Sequence, residues 1–447
     1  MFSHLAAGVP GTVAGLYRAH QQHGSLPWKR LLEAAIAQAR FGVPVSFDLA
    51  EMLKSRQVRM CKNAATCGYF YKEGGEPYAA GELLIQSDLA DTLERIANDG
   101  PDGFYKGKTA ELIADEMKRG GGLVDAESLA AYRAVDRKPV YGTYRGYEVV
   151  TMAPPSSGGV HVLQMLNILE HFPVAEFGAG GADSIHLLAE VARLAYADRS
   201  EHLGDPDYYD VPVEWLTSKE YGKELAATID MRQARKSTDV AAGVAPHAES
   251  PDTTHFSVVD ADGNIVATTT TLNFSFGSAI SVTGAGFLLN NEMDDFVSKP
   301  GVPNAFGLLG GEANAIAAGK RPLSSMTPTI VLADGEPWFA TGSPGGSRII
   351  TSVLQMIVNV IDHGMNLAEA VNAPRMHHQW FPDVLQLESG FSPDTVEILR
   401  ARGHEVAESR SSMGSIQAVG IRDGVFRGAS DPRRPNAASV APAATTE

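Results

Sequence analysis

The sequence predicts an α/β chain in which a helix-rich part gives way to a strand-rich part near residue 252. Three observations predict it. Before that point, apolar residues recur at i, i+3 and i+4, the stripe of a helix with one buried face. After it, short runs alternate or stay apolar around turn dipeptides, the pattern of hairpins. Between them Ala241 to Asp252 is polar and shows no strand pattern. In a layered α/β fold the two parts, 1–252 and 253–447, can still share one core.

The elements follow in order. Trp28 to Arg40 places Leu31, Leu32, Ala35, Ile36 and Ala39 on one helical face. Leu83 to Asn98 and Lys108 to Lys118 repeat the stripe, and the second ends in Arg119 and three glycines, a basic last turn followed by a stop. Asp125 is placed to cap a helix over Glu127 to Ala134. His161 to His171 and Ser184 to Asp198 are read as further amphipathic helices. From Thr253, His255 to Asp260 and Ile265 to Thr271 form a strand–turn–strand across Ala261 to Asn264. Thr329 to Ala333 and Trp338 to Thr341 flank an Asp334-Gly335 turn, and Ser347 to Ile361 is a long apolar helix. Ser415 to Val419 and Gly424 to Arg427 predict a last hairpin across Arg422-Asp423, and the Pro- and Ala-rich tail from Ala429 reads as disordered.

Composition sets bounds. At 447 residues the chain can bury a large core, and about 150 residues per domain allows up to three domains. The net charge of −16 argues against nucleic acid and anionic membrane as partners, since both call for a basic surface. No apolar stretch is long enough to span a bilayer. Met1 to Leu5 lacks the basic-then-apolar pattern of a signal peptide. Cys61 and Cys67 could close a small loop in an oxidising compartment or remain free thiols, and with no nearby histidine they make a poor metal site. His377 and His378 are adjacent, so they cannot share one metal from a helix.

Chemistry concentrates from residue 253 onward. Thr253-Thr254-His255 puts a hydroxyl at the front of a strand, behind a polar linker. If the Asp252–Thr253 bond breaks, Thr253 carries both a nucleophilic hydroxyl and an α-amine of pKa about 7.7–8.0, which can act as the hydroxyl's base. Taken alone, Thr-Thr reads first as a β-former opening a hairpin, and the segments downstream change that weighting. Strand alternation puts Thr271 and Asn273 on one face, with Thr271 across the hairpin from Thr253. Leu288 to Phe296 ends an apolar run in carboxylates, among them Glu292 and Asp295, which can accept from a substrate ammonium. Ser324 and Ser325 offer adjacent hydroxyls in a turn. Gly342 to Arg348 joins a strand to a helix. Its glycines allow backbone N–H groups to converge on an oxyanion, and it lacks the lysine of a phosphate loop. There is no Gly-x-Ser-x-Gly elbow and no His-Glu-x-x-His.

In this order the segments resemble the γ-glutamyltransferase (glutathione hydrolase) family of N-terminal nucleophile hydrolases. Pro10 to Gly15, Pro154 to Gly159, Leu203 to Pro206, the run Thr253 to Arg348 and Ala429 to Pro435 all carry the resemblance. It implies a four-layer αββα sandwich with no metal or organic cofactor. It implies a large part, 1–252, and a small part, 253–447, that form one shared core after self-cleavage between Asp252 and Thr253. Thr253 is then the nucleophile and Thr271 a helper hydroxyl. Asn273, Glu292 and Asp295 hold the α-amino end of the γ-glutamyl group, Ser324 and Ser325 its α-carboxylate, and Gly345 and Gly346 form the oxyanion hole. Lys299 to Gly311 resembles the family's lid loop, with Phe306 where many members have Tyr. The expected partners are glutathione-like γ-glutamyl donors and amino acid or peptide acceptors, in a periplasmic or extracellular setting. The family's segment ahead of Ser3, with a signal peptide and a carboxylate-clamping arginine, has no match here, so the chain resembles a shortened member. Two other readings stay open: a glutaryl- or cephalosporin-type acylase of the same fold, and an inactive remnant that only binds.

Overall fold

The computed structural model describes residues 1–240, 253–297, 304 and 308–441. The chain forms two compact units, Met1–Asp136 with Thr271–Asp294, and Arg137–Thr270 with Asp295–Glu447.

The first unit is built on helices: α1 (Thr12–His23), α2 (Trp28–Phe41), α3 (Phe47–Met60), α4 (Ser87–Asp99), α5 (Gly107–Gly120) and the short α6 (Ala126–Ala131). The Asp125 cap forms, accepting the Ser128 N–H at 2.8 Å, and α6 stops three residues earlier than the stripe suggested. Likewise α4 begins at Ser87, because Leu83–Leu84 pairs as a two-residue strand with Val43–Pro44. Apolar faces of α4 and α5 meet Ile280, Val282 and Ala285 in one core around Ile113 and Met117. A second core gathers Val45, Leu53, Met60, Phe70, Tyr71 and Ala279. Cys61 and Cys67 beside it are joined in a disulfide.

The second unit is a six-stranded antiparallel sheet with helices on one face. Its strands are β1 (Val140–Tyr144), β2 (Tyr147–Thr151), β5 (Thr329–Ala333), β6 (Glu336–Gly342), β7 (Gln417–Arg422) and β8 (Val425–Ser430), in the order β8-β7-β6-β5-β2-β1. Helices α7 (Gly158–Leu169), α8 (Ala182–His202) and α9 (Arg348–Ile361) form the helical layer, with α7 on β1 and β2, and α9 on β6. A two-stranded hairpin, β3 (Thr253–Val259) and β4 (Ile265–Thr271), brings β3 against β6 and β7. Helix, sheet and hairpin are thus stacked in the α–β–β order of a layered α/β fold. Phe339 to Gly342 are buried consecutively, as a strand covered on both faces requires.

The helix-rich first half also supplies β1 and β2, one edge of the main sheet, which the sequence reading did not pick out. Two expectations need correction. Helix α8 is not amphipathic: Ser184 to Ala197 are all buried, and its polar residues find internal partners, as Glu190 does in Arg193. The tail does not fray at Ala429. β8 runs to Ser430, and Asp431, fully buried, pairs with Arg375 (2.6 Å) and Arg433 (3.0 Å). No helix among the described residues is long and apolar enough to cross a membrane.

Candidate active site

Thr253 opens β3, and Asp252 before it lies outside the described residues. Burial alternates along the strand, so Thr253 (9 % exposed) and His255 point inward while Thr254 and Phe256 face out. The His255 ring rests on Gly342, the last residue of β6, where any Cβ would collide with it. Its Nδ1 meets Thr269 Oγ1 at 2.8 Å and its Nε2 meets Ser257 Oγ at 2.9 Å. Burial pushes its pKa down to about 4, so the ring is neutral at pH 7 and acts as a hydrogen-bonding wedge rather than a charge. Thr253 sits two residues back on the same face, roughly 7 Å along the strand. His255 therefore ties the front of β3 to the strand that feeds the glycine turn.

That turn runs from Gly342 into α9. Gly345 (φ +141°) and Gly346 (φ +54°) adopt backbone conformations that side chains disfavour. Their carbonyls start the helix, accepting from Arg348 N (3.0 Å) and Ile349 N (3.2 Å). Among the described residues no acceptor takes the N–H of either glycine. The turn is fixed from behind. Ser343 Oγ accepts from Ser415 N at 3.0 Å, the Tyr196 hydroxyl donates to Ser347 O, and Ser347 Oγ donates to Gln379 Oε1 at 2.7 Å. Fixed N–H donors of this kind suit a developing oxyanion.

Ser324 and Ser325 lie in a stretch bridged to Ser156. Ser324 N donates to Pro155 O (2.9 Å), and Ser324 O accepts from Ser157 N (2.9 Å). Beneath them is Arg199, on the last turn of α8 and only 4 % exposed. Its Nε donates to Ser157 Oγ at 2.8 Å and its Nη2 to Ser325 Oγ at 3.2 Å. Burial pulls its pKa down to about 10, and the negative charge of Asp295 pulls the other way. Asp295 ends the single 3₁₀ turn Glu292–Asp295 and is anchored through its carbonyl by Asn314 Nδ2 at 2.7 Å. Asp295 makes no ion pair with Arg199 among the described residues, and its charge acts on the guanidinium only at longer range.

The remaining candidates, Thr271, Asn273 and Glu292, belong to the first unit. Strand β4 ends at Thr271, so Asn273 is not on a strand face. It adopts φ +74°, and its N–H donates to Thr271 Oγ1 at 2.8 Å. Asn tolerates this region because its short polar side chain bonds locally. Asn273 Nδ2 reaches Asn291 O at 3.1 Å, Asn291 N returns to Leu272 O at 3.0 Å, and Glu292 N is held by Asn290 Oδ1 at 3.1 Å. This lacing brings Asn273 next to the acidic segment, which its spacing in sequence does not suggest. Phe306 and most of Lys299 to Gly311 lie outside the described residues. Among the described residues no group of three or more His, Cys, Asp or Glu could hold a metal ion. His377 and His378 are instead buried beside α9 and Arg193, with Thr351 and Asp383 as partners.

Residues 1–441 match the family described as Gamma-glutamyltranspeptidase. The chain belongs to this family. It is 53 % identical over 432 residues to a glutathione hydrolase proenzyme of Escherichia coli K12, covering 96 % of this chain and 74 % of that protein. It is 40 % identical over 425 residues to an acylase ACY 1 proenzyme of Pseudomonas sp. SE83, covering 95 % of this chain and 73 % of that one. A cephalosporin acylase from Bacillus halodurans superposes with a TM-score of 0.84 at 27 % identity, over 97 % of this chain and 78 % of that chain. The mixed α/β fold of the N-terminal nucleophile hydrolase type, expected from the sequence, is the one shared with that acylase.

Membership in the γ-glutamyltranspeptidase family gives the positions singled out in the sequence a common frame. Sequence reasoning passed over Arg199, and it met Ser157 and His255 only inside longer runs without giving either a role. The Pro154 to Gly159 stretch was a signal for Ser157, whereas Arg199, like Arg193 on the same helix, carries no signal in the sequence that sets it apart from a solvated residue.

Proposed function

We propose that this chain is a γ-glutamyltransferase and glutathione hydrolase that matures by cutting itself between Asp252 and Thr253. The Thr253 hydroxyl attacks the Asp252 carbonyl, the Thr253 nitrogen leaves, and water hydrolyses the resulting ester. The products are a 1–252 part and a 253–447 part, with Thr253 bearing a free amine. That amine, of pKa about 7.7–8.0, then takes the hydroxyl proton as Thr253 attacks the γ-glutamyl carbonyl. Thr271 helps orient the nucleophile. The Gly345 and Gly346 N–H groups receive the oxyanion. Asn273, Glu292 and Asp295 take the α-amino end of the donor, and Ser324 and Ser325 its α-carboxylate. The leaving amine departs, and water or an amino acid or peptide amine resolves the acyl-enzyme.

The observation that carries this reading is the family match over nearly the whole chain, held together with an inward-facing Thr253 on the strand that His255 ties to the glycine turn. The Cys61–Cys67 disulfide suits an oxidising periplasmic or extracellular setting. A second reading, a glutaryl- or cephalosporin-type acylase, is supported by the relatives that bear acylase names. A glutaryl group has no α-amine, so it gives Asn273, Glu292 and Asp295 nothing to bind. Turnover of γ-glutamyl-4-nitroanilide against glutaryl-4-nitroanilide separates the two. The proposal expects the γ-glutamyl donor to lead in kcat/KM, and a glutaryl preference would overturn it.

A further inference from the structure

We infer that Arg199 is the positioning residue for the donor's α-carboxylate, acting through Ser325 from behind the serine pair. The inference rests on the proposed γ-glutamyl reading and extends it.

A serine hydroxyl has one proton to give and two lone pairs to receive. Ser325 Oγ already receives from Arg199 Nη2 at 3.2 Å, and Ser324 Oγ already receives from Met326 N at 3.1 Å. Neither hydroxyl proton finds an acceptor among the described residues. Both serines, only partly buried, are therefore set as donors toward an incoming anion. Arg199 has a further reason to favour one. The residue is 4 % exposed, and its hydrogen bonds go to the hydroxyls of Ser157 and Ser325, with no carboxylate within ion-pair distance among the described residues. A buried cation without a close counter-ion is costly, and a carboxylate docked on the serine pair would relieve that cost. Ser157 fixes the guanidinium plane through Nε, so the charge and the second N–H stay aimed at Ser325.

The test uses the full chain with three donors: γ-glutamyl-, glutaryl- and 4-aminobutanoyl-4-nitroanilide. The first two carry the carboxylate, and the third does not. In Arg199→Gln, the kcat/KM ratios of the γ-glutamyl and glutaryl donors over the 4-aminobutanoyl donor should each fall roughly ten- to hundred-fold, through KM more than kcat. Arg199→Lys should recover part of the loss, since an ammonium keeps the charge but not the planar two-point grip. Ser157→Ala should move the same ratios in the same direction by less, and it serves if Arg199→Gln fails to fold. Equal loss on all three donors in folded variants would overturn the inference and leave the γ-glutamyl reading standing. A parent chain that turns over none of the three would overturn that reading and this inference with it.

Discussion

Asp431→Ala tests whether the segment that follows β8 holds the glycine turn in place. The carboxylate is fully buried and accepts at 2.6 Å from Arg375 and 3.0 Å from Arg433. It also receives the backbone N–H groups of Ile416 (2.8 Å) and Arg433 (3.0 Å). Arg375 is only 2 % exposed, so removing Asp431 leaves a buried cation beside Met413 O and Val371 O. Breaking a buried pair from one side costs about 3–5 kcal/mol. For a chain of this size about 2 °C of melting temperature goes with each kcal/mol, so Tm should fall by roughly 6–10 °C. The effect should also reach the glycine turn. Arg375 holds Met413, Gly414 lies against Gly345, and Ser415 N bonds Ser343 Oγ. In the variant kcat should fall more than KM rises. Asp431→Asn, which keeps the shape but only one of the two oxygens that accept from Ile416 N and Arg433 N, should fall between the parent and Asp431→Ala. Scanning calorimetry and steady-state kinetics read both effects. A Tm within 1 °C of the parent, with unchanged kcat, would refute the reasoning.

Gly342→Ala should cost about 1–3 kcal/mol, because the new methyl meets a His255 ring held at both nitrogens. His255→Ala in the same chain should make the two losses less than additive, as seen by thermal unfolding. Acid should destabilise the fold well before ordinary carboxylates titrate. Burial holds His255 and His378 down to about 4, and His161, His377 and His404 down to about 3, from an unfolded value of 6.5. The unfolded chain then binds more protons below pH 6.5, so the stability is complete above that pH and is lost as pH falls toward 3–4. Each such histidine contributes up to about 2 kcal/mol of loss by pH 5. Tm should therefore fall steadily from pH 7 to pH 5, and a flat profile would contradict the assignment.

Turn chemistry made much of the strand-rich part legible. Asp334-Gly335 adopts φ +53° and +80°, as an Asp-Gly hairpin turn requires, and β5 and β6 follow on either side. Arg145-Gly146 makes the same kind of turn, with φ +52° and +89°, between β1 and β2. It was missed because arginine is no usual marker of that conformation. Helix α8 was legible as a helix but not as a buried one, since Glu190, Arg193 and Arg199 read as a solvated face until their partners from distant segments are known. The candidate positions were legible as polar residues without a structural reason. What joins them was not: Arg199 under Ser325, and Asn273 turned by its own backbone onto Thr271, are products of tertiary packing.

The proposed function depends above all on the release of Thr253 as a nucleophile by self-cleavage. Intact mass with N-terminal sequencing of the purified, folded chain tests it most directly. Two fragments are expected, 1–252 and 253–447, the second beginning Thr-Thr-His, and a Thr253→Ala chain should stay whole. A folded parent chain that remains uncut, or one cut at another bond, would contradict it.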